Sequence, residues 1–141
     1  MLRLRFQVRF SRERQRPGKE HTAIQHKPEF DFAAFKDAFE RKDVEAWSMF
    51  YADDAEWIEY KPSAPPRDPV RMLGKQRSTE FLEAVARSGL ELTLADEVLG
   101  TERAAFSVSC TFPDGRRVFE HTIVQIVDGK IARQVDVEAW D

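Results

Sequence analysis

Cysteine is almost absent from the 141 residues: Cys110 stands alone, so no internal disulfide can form. In the alternating run AAFSVSCTF it reads as a small core residue rather than a reactive thiol. No run of about 18 apolar residues occurs, which excludes a helical membrane span. The opening MLRLRFQVRF is basic but lacks the apolar stretch and small-residue cleavage site of a secretory signal, so the expected location is the cytoplasm. Several chemistries also leave no trace. There is no HExxH, no GxSxG, and the tripeptide at Gly74 lacks the Ser/Thr and upstream Gly of a phosphate loop. His21 and His26 are poorly spaced for a metal, and no cofactor or metal is implied.

What is present supports a folded domain. An apolar fraction of 42% with eleven Phe supplies a core, and 33% charged residues argue for solubility. A chain of this length buries roughly 68–70% of its unfolded surface. The net charge of −3 is uneven: residues 1–29 hold eight Lys/Arg against three Asp/Glu, or +5, which leaves −8 on residues 30–141. An acidic domain argues against a nucleic-acid face, since that affinity rests on phosphate neutralisation. Residues 1–29 are read as a basic extension, either a flexible arm or an added edge strand, and residues 30–141 as the domain.

Phe32, Phe35 and Phe39 recur at helical spacing behind a capping Asp31. A second short helix from Asp43 is expected to bury Val44, Trp47, Phe50 and Tyr51, and residues 57–60 read as a strand. The proline-rich segment 61–75 reads as a loop long enough to act as a lid. A third helix spans about 75–88, closed by Gly89. Four strands then follow, over 90–99, 103–112, 117–127 and 130–140. Asp128-Gly129 between β-branched runs is a strong hairpin signal. Helices first and an antiparallel meander afterwards give an α+β fold.

The segments FKDAFERKDVEAWSMFYADDAEW, LGKQRSTEFLEAV and IVDGKIARQVDVEAWD, in this order and spacing, resemble the SnoaL-like branch of the nuclear transport factor 2-like superfamily. That resemblance implies a cone-shaped half-barrel, a curved and mainly antiparallel sheet wrapped around three N-terminal helices, with a pocket at its open end and often a dimer through the sheet. Its members include polyketide cyclases, ketosteroid isomerases, epoxide hydrolases and proteins without catalysis, so activity does not follow from the fold.

By that resemblance Asp136 occupies the place of a pocket carboxylate, and Glu59 the place of the isomerases' catalytic carboxylate, with Glu in place of Asp. From the residues alone, Asp136 can equally be a structural partner of Arg133 or Arg103, and Glu59 a solvated strand-end residue. Glu120 and His121 are adjacent in a strand, so only one faces inward. His121 is the more useful proton carrier at neutral pH. The candidate site is therefore Asp136, His121 and Glu59, with Trp57, Phe81, Cys110, Gln134 and Trp140 as lining. The cations Lys61, Arg67, Arg71, Lys75 and Arg77 near the loop read as a solvated surface that could also attract an anionic ligand.

The expected function is a small-molecule pocket protein, an isomerase or cyclase that moves a proton on an apolar or carbonyl-bearing ligand without a cofactor. The alternative is a non-catalytic binding or dimerisation module of the same fold. A homodimer is expected because Ile131, Val135 and Val137 lie on the face opposite Asp136.

Overall fold

The computed structural model describes residues 29–141. The readings of the alternating run, the basic extension, His21 and His26 lie outside the described residues. Helix α1 (Phe32–Arg41) starts where the Asp31 side chain accepts from the Ala34 N–H at 3.0 Å, and it buries Phe32, Phe35, Ala38 and Phe39. It ends at Lys42, in the left-handed region. Asp43 then caps α2 (Val44–Ser48) in the same way, through the Ala46 N–H at 3.1 Å. A two-residue connection between capped helices forces the corner that sets Trp47 against Phe39, with ring centroids 4.7 Å apart.

Six strands follow, interrupted by one helix: β1 (Tyr51–Tyr60), β2 (Val70–Leu73), α3 (Lys75–Arg87), β3 (Glu91–Leu99), β4 (Arg103–Thr111), β5 (Arg117–Val127) and β6 (Lys130–Trp140). They form one curved, unclosed sheet in the order β2-β1-β6-β5-β4-β3. All neighbours are antiparallel except β1 and β6. The helices cover the concave face, where Phe35, Phe39, Trp47, Leu82, Leu94, Phe106 and Val124 make the core. The α+β architecture with a half-barrel sheet follows from this order.

Three local expectations are corrected. Tyr51 does not extend α2: it opens β1, and its ring stacks flat on Trp57 at 5.5 Å. The spacing Trp47 to Tyr51 fits a helix, but α2 stops at Ser48 and burial against the sheet decides the conformation. The proline-rich segment is not loop throughout. Its prolines end at Pro69, and β2 pairs with β1 beyond them as an edge strand.

The third correction concerns β6. Ile131 is fully buried and faces the core rather than sharing the outer stripe with Val135 and Val137. The pairing of β5 with β6 slips by one residue, from Ile126 opposite Ile131 to Gln125 opposite Arg133. Ala132 is therefore the extra residue of a bulge, which exchanges the faces of everything on one side of it relative to the other.

Candidate functional site

Register carries the site. Across the concave face, residues of neighbouring strands lie side by side in rows. One row is Trp57, Gln134, Val124 and Ala104; the next is Glu59, Asp136, Thr122 and Phe106; the third joins Glu138, Glu120 and Val108. The β1 and β6 members of these rows, with Glu120 and Val108, floor a cavity of about 250 Å³ beneath α1, α2 and α3. Its helical wall is apolar, with Phe39, Trp47, Phe81 and Val85, and its mouth lies beside Phe112, Val118 and Trp140. A larger hollow of about 930 Å³ sits at the other end of the strands, among the turns near Gly100 and Gly129. It abuts the start of the described residues and contains none of the buried polar side chains, so the smaller cavity is the chemical one.

Asp136 is the centre of the polar floor. It is 1% exposed. Trp57 Nε1 donates to Oδ2 at 2.6 Å, Thr122 Oγ1 to Oδ1 at 2.8 Å, and Gln134 Nε2 lies 3.1 and 3.2 Å from the two oxygens. The Tyr51 hydroxyl fixes the Gln134 amide by donating to its Oε1 at 2.7 Å. Among the described residues no arginine reaches Asp136; Arg133 points away to Glu56 at 3.5 Å. Burial pushes the Asp136 carboxyl up to about 7, against the three hydrogen bonds, while the neighbouring charge of Glu59 adds to the rise. Burial likewise holds the Tyr51 hydroxyl well above its usual range.

Glu59 is not a solvated strand end: it is 2% exposed, lies beside Asp136 in the parallel register and pairs with Lys61 Nζ at 3.1 Å. Among the described residues Lys61 is the one lysine or arginine in the cavity wall. Arg71, by contrast, is spent on Glu56 at the surface.

His121 is the expectation the geometry overturns. It lies on the outer face, exposed, edge-on to Phe119 at 5.0 Å and opposite Val137. Its neighbour Glu120 faces inward in its place. Apart from a 3.4 Å contact from the Cys110 thiol, Glu120 has no hydrogen-bond donor among the described residues. Burial, with the charges of Asp136 and Glu138 behind it, pushes its carboxyl up to about 9. Glu138 is raised by burial too, partly offset by Trp140 Nε1, which donates to it at 2.6 Å. Burial raises the Cys110 thiol as well, so it is an inert wall residue. Of the residues picked from sequence, Asp136, Glu59, Trp57, Phe81, Cys110, Gln134 and Trp140 all meet in the cavity and His121 does not. Glu120, weighed against His121, and Glu138 and Thr122 were left out of the candidate site; Lys61, read as a surface cation that could also attract an anionic ligand, lines the cavity as well.

Among the described residues no helix is long and apolar enough to cross a membrane. No curated protein matches the sequence. The chain is similar in fold to a candidate ketosteroid isomerase from Kribbella flavida (21% identity over 78% of this chain and 74% of that one, TM-score 0.63). It is also similar to a nuclear transport factor 2-like protein of unknown function from Mesorhizobium loti (21%, 77% and 87%, TM-score 0.66). A third is a candidate polyketide cyclase from Sinorhizobium meliloti (20%, 74% and 91%, TM-score 0.59). At these identities the likeness establishes the fold alone. The SnoaL-like domain pattern matches residues 32–134, from α1 into the strand that carries Asp136, and on that match the chain belongs to the SnoaL-like domain family.

Proposed function

We propose that residues 30–141 bind a small apolar, carbonyl-bearing molecule in the cavity and move a proton on it without a cofactor, in the cytoplasm. The observation that carries this reading is a buried carboxylate, Asp136, oriented by three donors on the polar floor of a chamber whose helical wall is apolar. A base in that setting is partly desolvated and strengthened, and its proton affinity lies close to neutral pH. Asp136 takes the proton α to the carbonyl, and the electron pair of the broken C–H bond moves onto the carbonyl oxygen. Lys61, the cation in the wall, is the group that opposes the developing negative charge. The proton then returns from Asp136 to carbon, at the same or a conjugated position. Trp57 and Phe81, whose rings meet edge to face at 5.0 Å, keep water from the base.

Deuterium uptake from D₂O at the α carbon of cyclic ketones and enones, followed by proton NMR, tests this. Asp136→Asn keeps the shape and the floor but removes the basicity. It is expected to lower the exchange rate by roughly 10²-fold or more, the general-base range, with little change in Tm. A variant that retains the full rate places the base elsewhere, with Glu59 next in line.

One observation favours the rival reading, a non-catalytic binding module: both oxygens of Asp136 already accept hydrogen bonds, as in a structural network. Ligands that bind without α-carbon exchange in the unmodified protein would decide for that module.

The assembly proposed is a homodimer through the convex face. Phe119 (44% exposed) and Ile123 (54%) flank His121 on β5, and Val137 (55%) lies opposite His121 on β6. Light scattering at micromolar concentration is expected to give twice the 16.4 kDa chain mass and, for Val137→Glu, a shift towards the monomer. A monomer mass for the unmodified protein overturns it.

A further inference from the structure

The proposed proton transfer uses Asp136 and Lys61 and leaves two inward carboxyls without work. Glu120 and Glu138 are direct cross-strand partners on the concave face, and like charges placed so are destabilising. Lys61, the cation of the wall, pairs with Glu59 at 3.1 Å and only partly offsets Glu138. Arg116 lies 4.8 Å over the ring of Phe112 and is paired with Asp114 at 2.8 Å. Nothing on α3 answers the two carboxyls, since its residues in the wall are Phe81, Ala84 and Val85. The pair is therefore an acidic end to an aromatic chamber, with Phe112 and Trp140 5.7 Å apart beside it.

A second observation, independent of the charges, concerns the helical wall. Trp47 is 1% exposed and lines the cavity, and its Nε1 makes no full hydrogen bond among the described residues, although the Tyr51 hydroxyl lies close enough to feel it. A buried indole N–H normally has an acceptor, and an oxygen of a ligand, not its ammonium, supplies one. A metal is the poorer occupant of the acidic end, because among the described residues no three His, Cys, Asp or Glu side chains are grouped as a metal needs.

We infer that the site takes an apolar molecule with a protonated basic nitrogen, seated between Glu120 and Glu138 against Trp140 and Phe112, and that it rejects ligands bearing a carboxylate or phosphate there. The ammonium relieves the facing carboxyls and lies against aromatic faces that attract cations. In the empty site Glu120 holds a proton instead; the cation displaces it, so binding releases a proton to solvent. The groups that face Glu120 in this exchange are Cys110 on β4, Asp136 and Glu138 on β6, and Glu59 with Lys61 from β1. The inference rests on the cavity being a ligand site, but not on catalysis by Asp136.

Three probes that share one ring, benzylamine, benzyl alcohol and benzoate, test it with the full chain. Quenching of the cavity tryptophans and calorimetry in buffers of different ionisation enthalpy are the readouts. Benzylamine is expected to bind about tenfold or more tighter than benzyl alcohol, with benzoate weakest. Its binding should release protons at pH 7 and tighten from pH 6 to pH 8.5. Glu120→Gln should abolish the proton release, and Glu138→Gln, a second isosteric variant, should independently remove most of the preference. The ranking is read from binding alone, with no turnover required, which separates this inference from the proposed reaction. Benzoate or benzyl alcohol equal to benzylamine, or a preference that survives both Gln variants, overturns it. If none of the three binds, the ligand-site reading falls with it.

Discussion

Two neighbouring rows of the same sheet face, one strand step apart, treat their carboxyls in opposite ways. At Asp136, burial is opposed by three donors, from Trp57, Thr122 and Gln134, so ionisation survives close to neutral pH. At Glu120, burial meets only a thiol, and the facing residue is another carboxyl, so the proton stays on. Burial is common to both. What separates a base from an acid here is how many N–H and O–H groups the neighbouring strands aim at each carboxyl, and that is decided by register.

The largest way to break this contrast is to remove the accepting group from the donor-rich row. Asp136→Leu leaves Trp57 Nε1, the Thr122 hydroxyl and the Gln134 amide unpaired in the interior. A loss on the order of 3–5 kcal/mol is expected, read by urea denaturation. Asp136→Asn, which can still accept, should cost far less, and equal losses for the two would deny the donors their importance.

A smaller effect should appear as a pH slope. The folded-state pKa of Glu120 lies above its ordinary value, so between about 5 and 9 the folded chain holds more protons than the unfolded one. The stability this group contributes is complete below its unfolded pKa and is lost as pH rises through the folded value. Tm should therefore fall from pH 5 to pH 9. Glu120→Gln, which cannot titrate, should flatten that fall and make the variant the more stable chain at pH 9. An unchanged slope would mean that Glu120 is ionised at neutral pH. The smallest effect belongs to the convex face: His121→Ala should change monomer stability by about 0.5 kcal/mol or less and leave ligand binding untouched.

The residue on which sequence and structure part shows where legibility ends. The four late strands, the capped helices and the hairpin at Asp128-Gly129 are all written in local patterns, and the folded strands agree with them to within about a residue. Counting outward from that hairpin in strict pairs, Val127 with Lys130 and Ile126 with Ile131, sets His121 opposite Asp136. The bulge at Ala132 adds one residue, and Asp136 meets Thr122 instead, while His121 meets Val137 on the other face. Nothing local marks Ala132 as the extra residue. Both faces of β5 carry apolar side chains, so alternation could not choose between Glu120 and His121 either. The solvated strand-end alternative for Glu59 fails for a related reason: its burial comes from β6, which is remote in sequence, and from Lys61 folding back over it.

The parallel pairing of β1 with β6 also bears on when the protein can acquire its site. Without β6 the sheet is two separate pieces, β2-β1 and β5-β4-β3, with no direct strand contact between them. Trp57 and Asp136, 79 residues apart, meet only across that last insertion. On the ribosome, the helices and the first strands emerge well before the strand that completes the floor. The nascent chain therefore carries an unpaired flank of β1 until β6 has been synthesised, and closing so long a loop late makes for slow, non-local folding. The cavity is consequently the last part of the domain to form, and substitutions along β6 should slow folding as well as alter the chemistry of the finished site.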